Sequence, residues 1–308
     1  LFVPLIGKVV SSGHTSVLEH GYVNLSFENV SVFAEQFLIE FRLASFTVKS
    51  RRYVDFSKAG YVSPVFTANV QMAIFERTVE SLFGTYDVLE AAGVPKEDAR
   101  FVLPYCFCSN FFCSMNAREL VHVMNELTYG RGSRIPELRA LGESLFAQCE
   151  QQIPFLAVRK PEAYRQSDAF CLRQVRLLTS KAPVTVLAAP QDAEGLICGA
   201  YQLARGNVPQ PLTKPEQMAL LKALLAQPRK RELEQASYTL LFGGLSLAAL
   251  THLTRHRMQA LCAPNLLKSA RYDRYVLPES VQQTGLEAKY CEAFRQAGEA
   301  AVQLRAAG

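Results

Sequence analysis

The chain reads as an α+β protein built from one module used twice. Two observations carry that reading. Residues 16–42 (SVLEHGYVNLSFENVSVFAEQFLIEFR) match residues 231–257 (RELEQASYTLLFGGLSLAALTHLTRHR) without a gap, at an offset of 215. Leu18/Leu233, Glu19/Glu234, Leu25/Leu240, Phe27/Phe242, Ser31/Ser246, Ala34/Ala249 and Arg42/Arg257 are identical. Each copy then passes from a short alternating segment to an apolar run with helical spacing, the signature of a strand followed by a helix. Boundaries follow: a first module over residues 1–150, a linker and start of the second over 151–215, and a C-terminally incomplete second module over 216–308.

In the first copy Tyr22–Phe27 alternates as a strand does, and Glu28-Asn29 reads as a turn. Ser31 is a candidate N-cap for an amphipathic helix from Val32 to about Arg42, with Phe33, Phe37, Leu38 and Phe41 near one face. Gly60–Pro64 reads as a loop, and a long helix is expected from about Ala68 to Ala92, stopped by Gly93. Pro95 with Lys96-Glu97-Asp98 opens another helix, its acids facing the positive end of the helix dipole. A further helix is expected over Asn116–Leu127. Phe33, Phe37, Phe41, Phe111 and Phe112 are assigned to the core, and Lys49, Arg51, Arg229, Lys230 and Arg231 to solvated surface.

Residues from about 150 to 215 carry prolines 154, 161, 183, 190, 209, 211 and 215, with one strand within Lys181–Ala189. The second copy repeats a strand (Tyr238–Phe242), a Gly243-Gly244 turn, a helix (Ser246–Arg257) and a long helix over about 278–307. The chain opens without an initiator Met and closes on Ala306-Ala307-Gly308, which matches Ala91-Ala92-Gly93. The second copy is therefore expected to be cut short.

Of 308 residues, 49% are hydrophobic and 20% charged, an ordinary globular balance. The net charge of +5 is mild and suits a small anionic ligand as well as nucleic acid; there is no Lys/Arg block of the kind an acid-binding tail shows, and no nucleic-acid partner is expected. No apolar run reaches the ~18 residues of a membrane span. The eight cysteines show no disulfide-framework spacing, and Cys106, Cys108 and Cys113 have no nearby His pair to make a zinc site. They are expected to be reduced, mostly buried thiols of a cytoplasmic protein.

The chemistry is concentrated in arginines. Arg255-His256-Arg257 ends an apolar helix, and Ser269-x-Arg271-Tyr272 follows. The first copy has Arg42, Ser50, Arg52 and Tyr53 in the same order. Taken singly, cations at a helix C-terminus only complement its partial charge. Repeated Arg and Ser beside an apolar helix suit a phosphate, which guanidinium grips through two parallel hydrogen bonds.

With these motifs the chain resembles the flavin-dependent thymidylate synthases. The resemblance rests on Gly13-His14-Thr15-Ser16-Val17-Leu18-Glu19-His20, Arg42-Leu43-Ala44-Ser45, Ser50-Arg51-Arg52-Tyr53, Arg100-Phe101-Val102-Leu103-Pro104 and Asn116-Ala117-Arg118-Glu119-Leu120, and on the intact Arg255-His256-Arg257 of the second copy. It implies methylation of dUMP to dTMP. Methylenetetrahydrofolate gives the carbon, reduced FAD the hydride, and NADPH re-reduces the flavin. It implies no enzyme nucleophile and sites built between subunits, with FAD held by His20, Asn116, Arg118, Arg255, His256 and Arg257. Arg42, Ser50, Arg52, Arg100, Ser269 and Arg271 fall at nucleotide-binding positions. Tandem modules would let a homodimer stand in for the family's tetramer, with the second copy's triplet meeting His20, Asn116 and Arg118 of a first copy.

Departures from the pattern leave two other readings open, a flavoenzyme with altered pyrimidine one-carbon chemistry and a non-catalytic flavin- or nucleotide-binding scaffold. The first copy has Glu40-Phe41-Arg42 where the second has Arg-His-Arg, and Val48 where an acid is expected. The arginine expected near Leu127-Thr128-Tyr129 is absent or shifted to Arg131 or Arg134. In the second copy His20 is replaced by Gln235, and Arg257 to Ser269 is four residues longer than Arg42 to Ser50.

Overall fold

The computed structural model describes residues 2–165, 183–256, 258–264, 266–269 and 271–307. The described residues of 1–171 and 246–308 form one compact unit, and those of 172–245 a second. Arg257, Lys181 and Gly308, all named above, and Cys171, one of the eight cysteines, lie outside the described residues.

The first unit begins with α1 (Phe2–Ser11), a 3-10 turn at Thr15–His20, β1 (Tyr22–Ser31) and α2 (Val32–Ile39). It continues through β2 (Ala44–Val48), α3 (Asn69–Ala91), α4 (Lys96–Ala99), a 3-10 turn at Arg100–Val102 and β3 (Cys108–Asn116). Then come α5 (Ala117–Thr128), α6 (Pro136–Gln152) and α7 (Pro161–Tyr164).

β3 lies between β1 and β2 in an antiparallel sheet, with Phe27 opposite Phe111 and their rings stacked at 4.7 Å. β3 hides Phe111, Cys113 and Met115 on one face and turns Phe112 outward at 66% exposure, as the two-residue period of a strand requires. Phe112 is therefore not a core residue. Glu28-Asn29 does not end β1; the register shifts between Phe27 and Val30, and the strand runs on to Ser31. Asn29 takes the left-handed backbone (φ 54°) that such an irregularity needs, and its N–H is met by Asn110 Oδ1 at 2.6 Å.

Ser31 caps α2 through Ala34 N–H at 3.0 Å, and its own N–H and hydroxyl donate to the Glu137 carboxylate at 2.7 and 2.6 Å. α2 stops at Ile39, short of the expected Arg42. α3 stops as expected, with Gly93 at φ +86°.

The second unit contains β4 (Val184–Ala188), α8 (Ala193–Leu203), α9 (Lys214–Leu225), a 3-10 turn at Arg231–Gln235 and β5 (Thr239–Phe242). β4 and β5 pair antiparallel. Asp192 caps α8, and Thr213 with Glu216 forms a capping box on α9.

The chain then returns to the first unit as α10 (Leu247–Thr254), α11 (Leu266–Ser269), α12 (Glu279–Gln282) and α13 (Glu287–Ala306). Ser246 caps α10 through Ala249 N–H at 3.2 Å, as Ser31 caps α2. The long helix expected over 278–307 is two helices, separated where Gly285 takes φ +70°.

α3 and α13, the same element of the two copies, pack antiparallel. Gln71 Nε2 donates to Ala307 O at 3.0 Å, and Ser81 Oγ donates to Gln296 Oε1 at 2.8 Å. Ser81 and Gln296 are equivalent positions of the repeat, so a local two-fold axis passes between them. Leu82, Tyr86 and Leu89 share a core there with Val281, Tyr290 and Ala293. A separate core lies under the three-stranded sheet and α5.

Candidate functional site

The predicted residues gather in separate places. His20 ends a 3-10 turn that meets the start of α5, where Ala117 N–H donates to Gly21 O at 2.8 Å. Asn116 is the N-cap of α5, its Oδ1 accepting from Glu119 N–H at 2.8 Å. Exposed Arg118 pairs with Glu19, one residue from His20. His20, Asn116 and Arg118 thus share one end of β3.

A second group lies toward the other end of β3. Ser50 Oγ accepts from Arg52 N–H at 3.3 Å, which fixes the turn that presents Arg52. Arg52 Nε meets Glu97 Oε2 at 3.0 Å, and Arg100 Nε donates to the Glu97 main-chain oxygen at 3.0 Å. Burial, with Arg51 and Arg52 nearby, holds the Arg100 guanidinium below its ordinary value.

Arg51 corrects the sequence reading. Its side chain is only 9% exposed, and its Nη2 donates to Glu35 Oε1 at 3.0 Å. Glu35 is fully buried and takes a second hydrogen bond from Ser109 Oγ at 2.5 Å. Beside Glu35, Gln36 Nε2 donates to Thr254 Oγ1 at 3.2 Å, and this joins α2 of the first copy to α10 of the second.

Arg255 follows directly as the C-cap of α10. Arg255 is exposed as a residue, yet partial burial and the Arg51 charge lower its guanidinium, against the pull of Glu35. His252, one turn earlier, is held below the usual imidazole value by burial and then by Arg255, Arg100, Arg52 and Arg51. Cations from both copies therefore share one neighbourhood. His256 is exposed at the same helix end.

The remaining candidates stand elsewhere. Arg42 is exposed after α2. Ser269 closes α11, and Arg271 spends its guanidinium on Asp273 through two bonds of 2.9 and 2.8 Å. Arg255 lies toward the Ser109 end of β3, whereas Asn116 closes its other end, roughly 20 Å along the strand at ~3.3 Å per residue. Within one chain the two groups do not converge.

The first copy's triplet has become structure. Glu40 Oε2 binds Arg131 Nη1 at 2.9 Å, and Arg131 lies 5.0 Å over the Phe37 ring. Phe41 is 5% exposed, edge-on to Phe37 and His122. Arg131 and Arg134 line a groove of about 330 Å³ that also takes in Arg139 and Arg165. Half-buried Cys106 has its thiol pushed up to about 12 by burial, which favours the thiol over the nucleophilic thiolate. No helix among the described residues is long and apolar enough to cross a membrane.

Sequence reasoning missed Glu35, Arg51 and His252. The signal available was divergence between copies: Leu250 replaces Glu35, and Ala270 stands where the motif has Arg51.

A family model described as thymidylate synthase complementing protein matches residues 3–155 and 185–308, one segment for each copy. A flavin-dependent thymidylate synthase of Geobacter sulfurreducens is 39% identical over 121 residues, which are 38% of this chain and 52% of the relative. One from Nitratidesulfovibrio vulgaris is 30% identical over 208 residues, 64% of this chain and 76% of the relative. The chain thus spans about half the length of the first relative and about three quarters of the second. A crystal structure of a UMP/dUMP methylase, PolB from Streptomyces cacaoi bound with 5-Br dUMP, is 23% identical with a TM-score of 0.44, over 50% of this chain and 77% of that one.

Proposed function

The chain belongs to the flavin-dependent thymidylate synthase family, and from that premise we propose that it binds FAD and dUMP at sites composed from both repeats and methylates dUMP to dTMP. The observation that carries the proposal is the Gln36–Thr254 hydrogen bond, which sets the end of α10, and with it Arg255 of the second copy, against α2 of the first, where Glu35 holds Arg51. A nucleotide phosphate needs several guanidinium donors, and each hydrogen bond to a charged group contributes about 1.5–3 kcal/mol.

In this reading Ser50, Arg52 and Arg100 orient the phosphate, and Arg255 closes over it. His20 and Arg118, both exposed and adjacent, with Asn116 between their elements, are the donor set for FAD. Imidazole, amide and guanidinium together suit the phosphates and polar edges of such a cofactor. Bound FAD supplies the hydride, with NADPH and methylenetetrahydrofolate as co-substrates. Because Arg255 and Asn116 lie at opposite ends of β3, their meeting is between chains, in a homodimer of four modules.

A second reading, a nucleotide-binding scaffold without turnover, draws on the conversion of Glu40 and Phe41 into structural residues. The deciding experiment is the visible spectrum of the purified protein with added FAD, before and after dUMP, followed by a dTMP assay. Flavin bands perturbed by dUMP, with dTMP formed, support the enzyme. Bound flavin without product favours the scaffold or an altered one-carbon reaction. A colourless protein indifferent to FAD overturns the proposal.

A further inference from the structure

A buried carboxylate, Glu35, stands where helices of the two repeats meet: Arg51 is hydrogen-bonded to it, and its neighbour Gln36 contacts the residue before Arg255. Glu35 is fully buried, and both of its oxygens are engaged, Oε1 by Arg51 Nη2 at 3.0 Å and Oε2 by Ser109 Oγ at 2.5 Å. The neighbouring residue Gln36 reaches Thr254 at 3.2 Å, which seats the end of α10, and with it Arg255, beside the same carboxylate. Arg52 and Arg100 stand next to them and share Glu97.

Charge in this neighbourhood does not balance. Arg51, Arg52, Arg100 and Arg255 face Glu35 and Glu97, so two positive charges are left over. A phosphate monoester dianion carries the same charge with opposite sign. Like-charged guanidiniums in one neighbourhood repel, and an anion bound among them relieves that repulsion. Glu35 holds one of the four, Arg51. One Nη2 of Arg51 is spent on Glu35, and a guanidinium has five N–H donors in a rigid fork, so a fixed Arg51 keeps donors for a ligand.

We propose that Glu35 is a positioning residue that fixes Arg51 beside Arg255, and that Arg51 is thereby a further binding residue for the phosphate of a nucleoside monophosphate. The proposal rests on the nucleotide-binding reading above and deepens it. It concerns this chain's own residues, since the second repeat has Leu250 and Ala270 in the corresponding places.

The test is a double-mutant cycle on the full chain, read as Kd for dUMP, for deoxyuridine and for inorganic phosphate. Arg51→Gln is expected to weaken dUMP and inorganic phosphate by about ten-fold, the loss of one charged hydrogen bond, with deoxyuridine unchanged. Glu35→Gln is expected to weaken dUMP in the same direction, and to add nothing once Arg51 is already Gln. If Glu35→Gln does not fold, Glu35→Asp keeps the charge, withdraws it from Arg51, and is expected to behave in the same way.

An unchanged dUMP affinity in Arg51→Gln overturns the inference, and so does an equal effect of the Glu35 variant with and without Arg51. A Glu35 variant that loses thermal stability but keeps its dUMP affinity reduces Glu35 to a structural partner and also overturns it. If the unmodified protein binds neither dUMP nor inorganic phosphate, the nucleotide-binding reading itself falls, and the inference with it.

Discussion

α2 and α10 are the same helix written twice, and they end in opposite ways. Each begins at a serine N-cap and spans eight residues, Val32–Ile39 and Leu247–Thr254. Beyond the last turn, α2 gives Glu40, tied to Arg131, and Phe41, buried among aromatic rings. α10 gives Arg255 and His256, both open to solvent. A duplicated element keeps its beginning because the cap serves folding in both copies. Its end is free to become core in one copy and exposed cationic surface in the other.

The largest effect that would break this comparison is on stability. Phe41→Ala is expected to cost about 3–5 kcal/mol, as for other buried aromatic side chains. The matching His256→Ala is expected to stay within about 0.5 kcal/mol, as exposed positions do. Urea unfolding of both variants checks this, and similar losses in the two would erase the distinction between the helix ends.

A smaller effect is expected from Glu40→Arg, which restores the second copy's residue in the first. Loss of the half-exposed pair with Arg131 costs about 1 kcal/mol or less. Because Phe41 still fills the adjacent space, dUMP stoichiometry by calorimetry should not rise. A second nucleotide bound per chain would mean that one charge, not the packing, had silenced the first copy.

The smallest expected effect concerns His252. Its folded-state value is depressed, by burial first and then by four arginines. Folded and unfolded chains are alike above the ordinary imidazole value near 6.5, where both are neutral. As pH falls below that value the unfolded chain takes up the proton first, so stability is lost until the folded-state value has been passed. The melting temperature should therefore drop as pH falls below the ordinary imidazole value, and the drop should be shallower in His252→Gln. Identical profiles would remove His252 from the cationic neighbourhood.

The elements with local chemistry were legible in the sequence. Ser31 and Ser246 announced their helices, Gly93 its stop, and the motif arginines their region. β3 was not seen, because Phe112 on its solvent face is as apolar as buried Phe111 and Cys113, which hides the alternation. Gly285 was passed over inside an otherwise helical run. Arg51 read as surface charge because its partners are distant in sequence: Glu35 lies 16 residues away, and Ser109 a further 74 residues from Glu35. Burial of an ion pair is settled by topology, which no window along the chain contains.

The contact of Ser81 with Gln296 has one more consequence. In a symmetric pair of identical chains, any change at such an axial position is made twice and meets itself. Here the two sides are encoded separately, so serine can face glutamine and either can change alone. The partner is also tethered, and docking of α13 on α3 becomes an intramolecular event whose completeness does not depend on protein concentration. Dilution should therefore leave this packing intact.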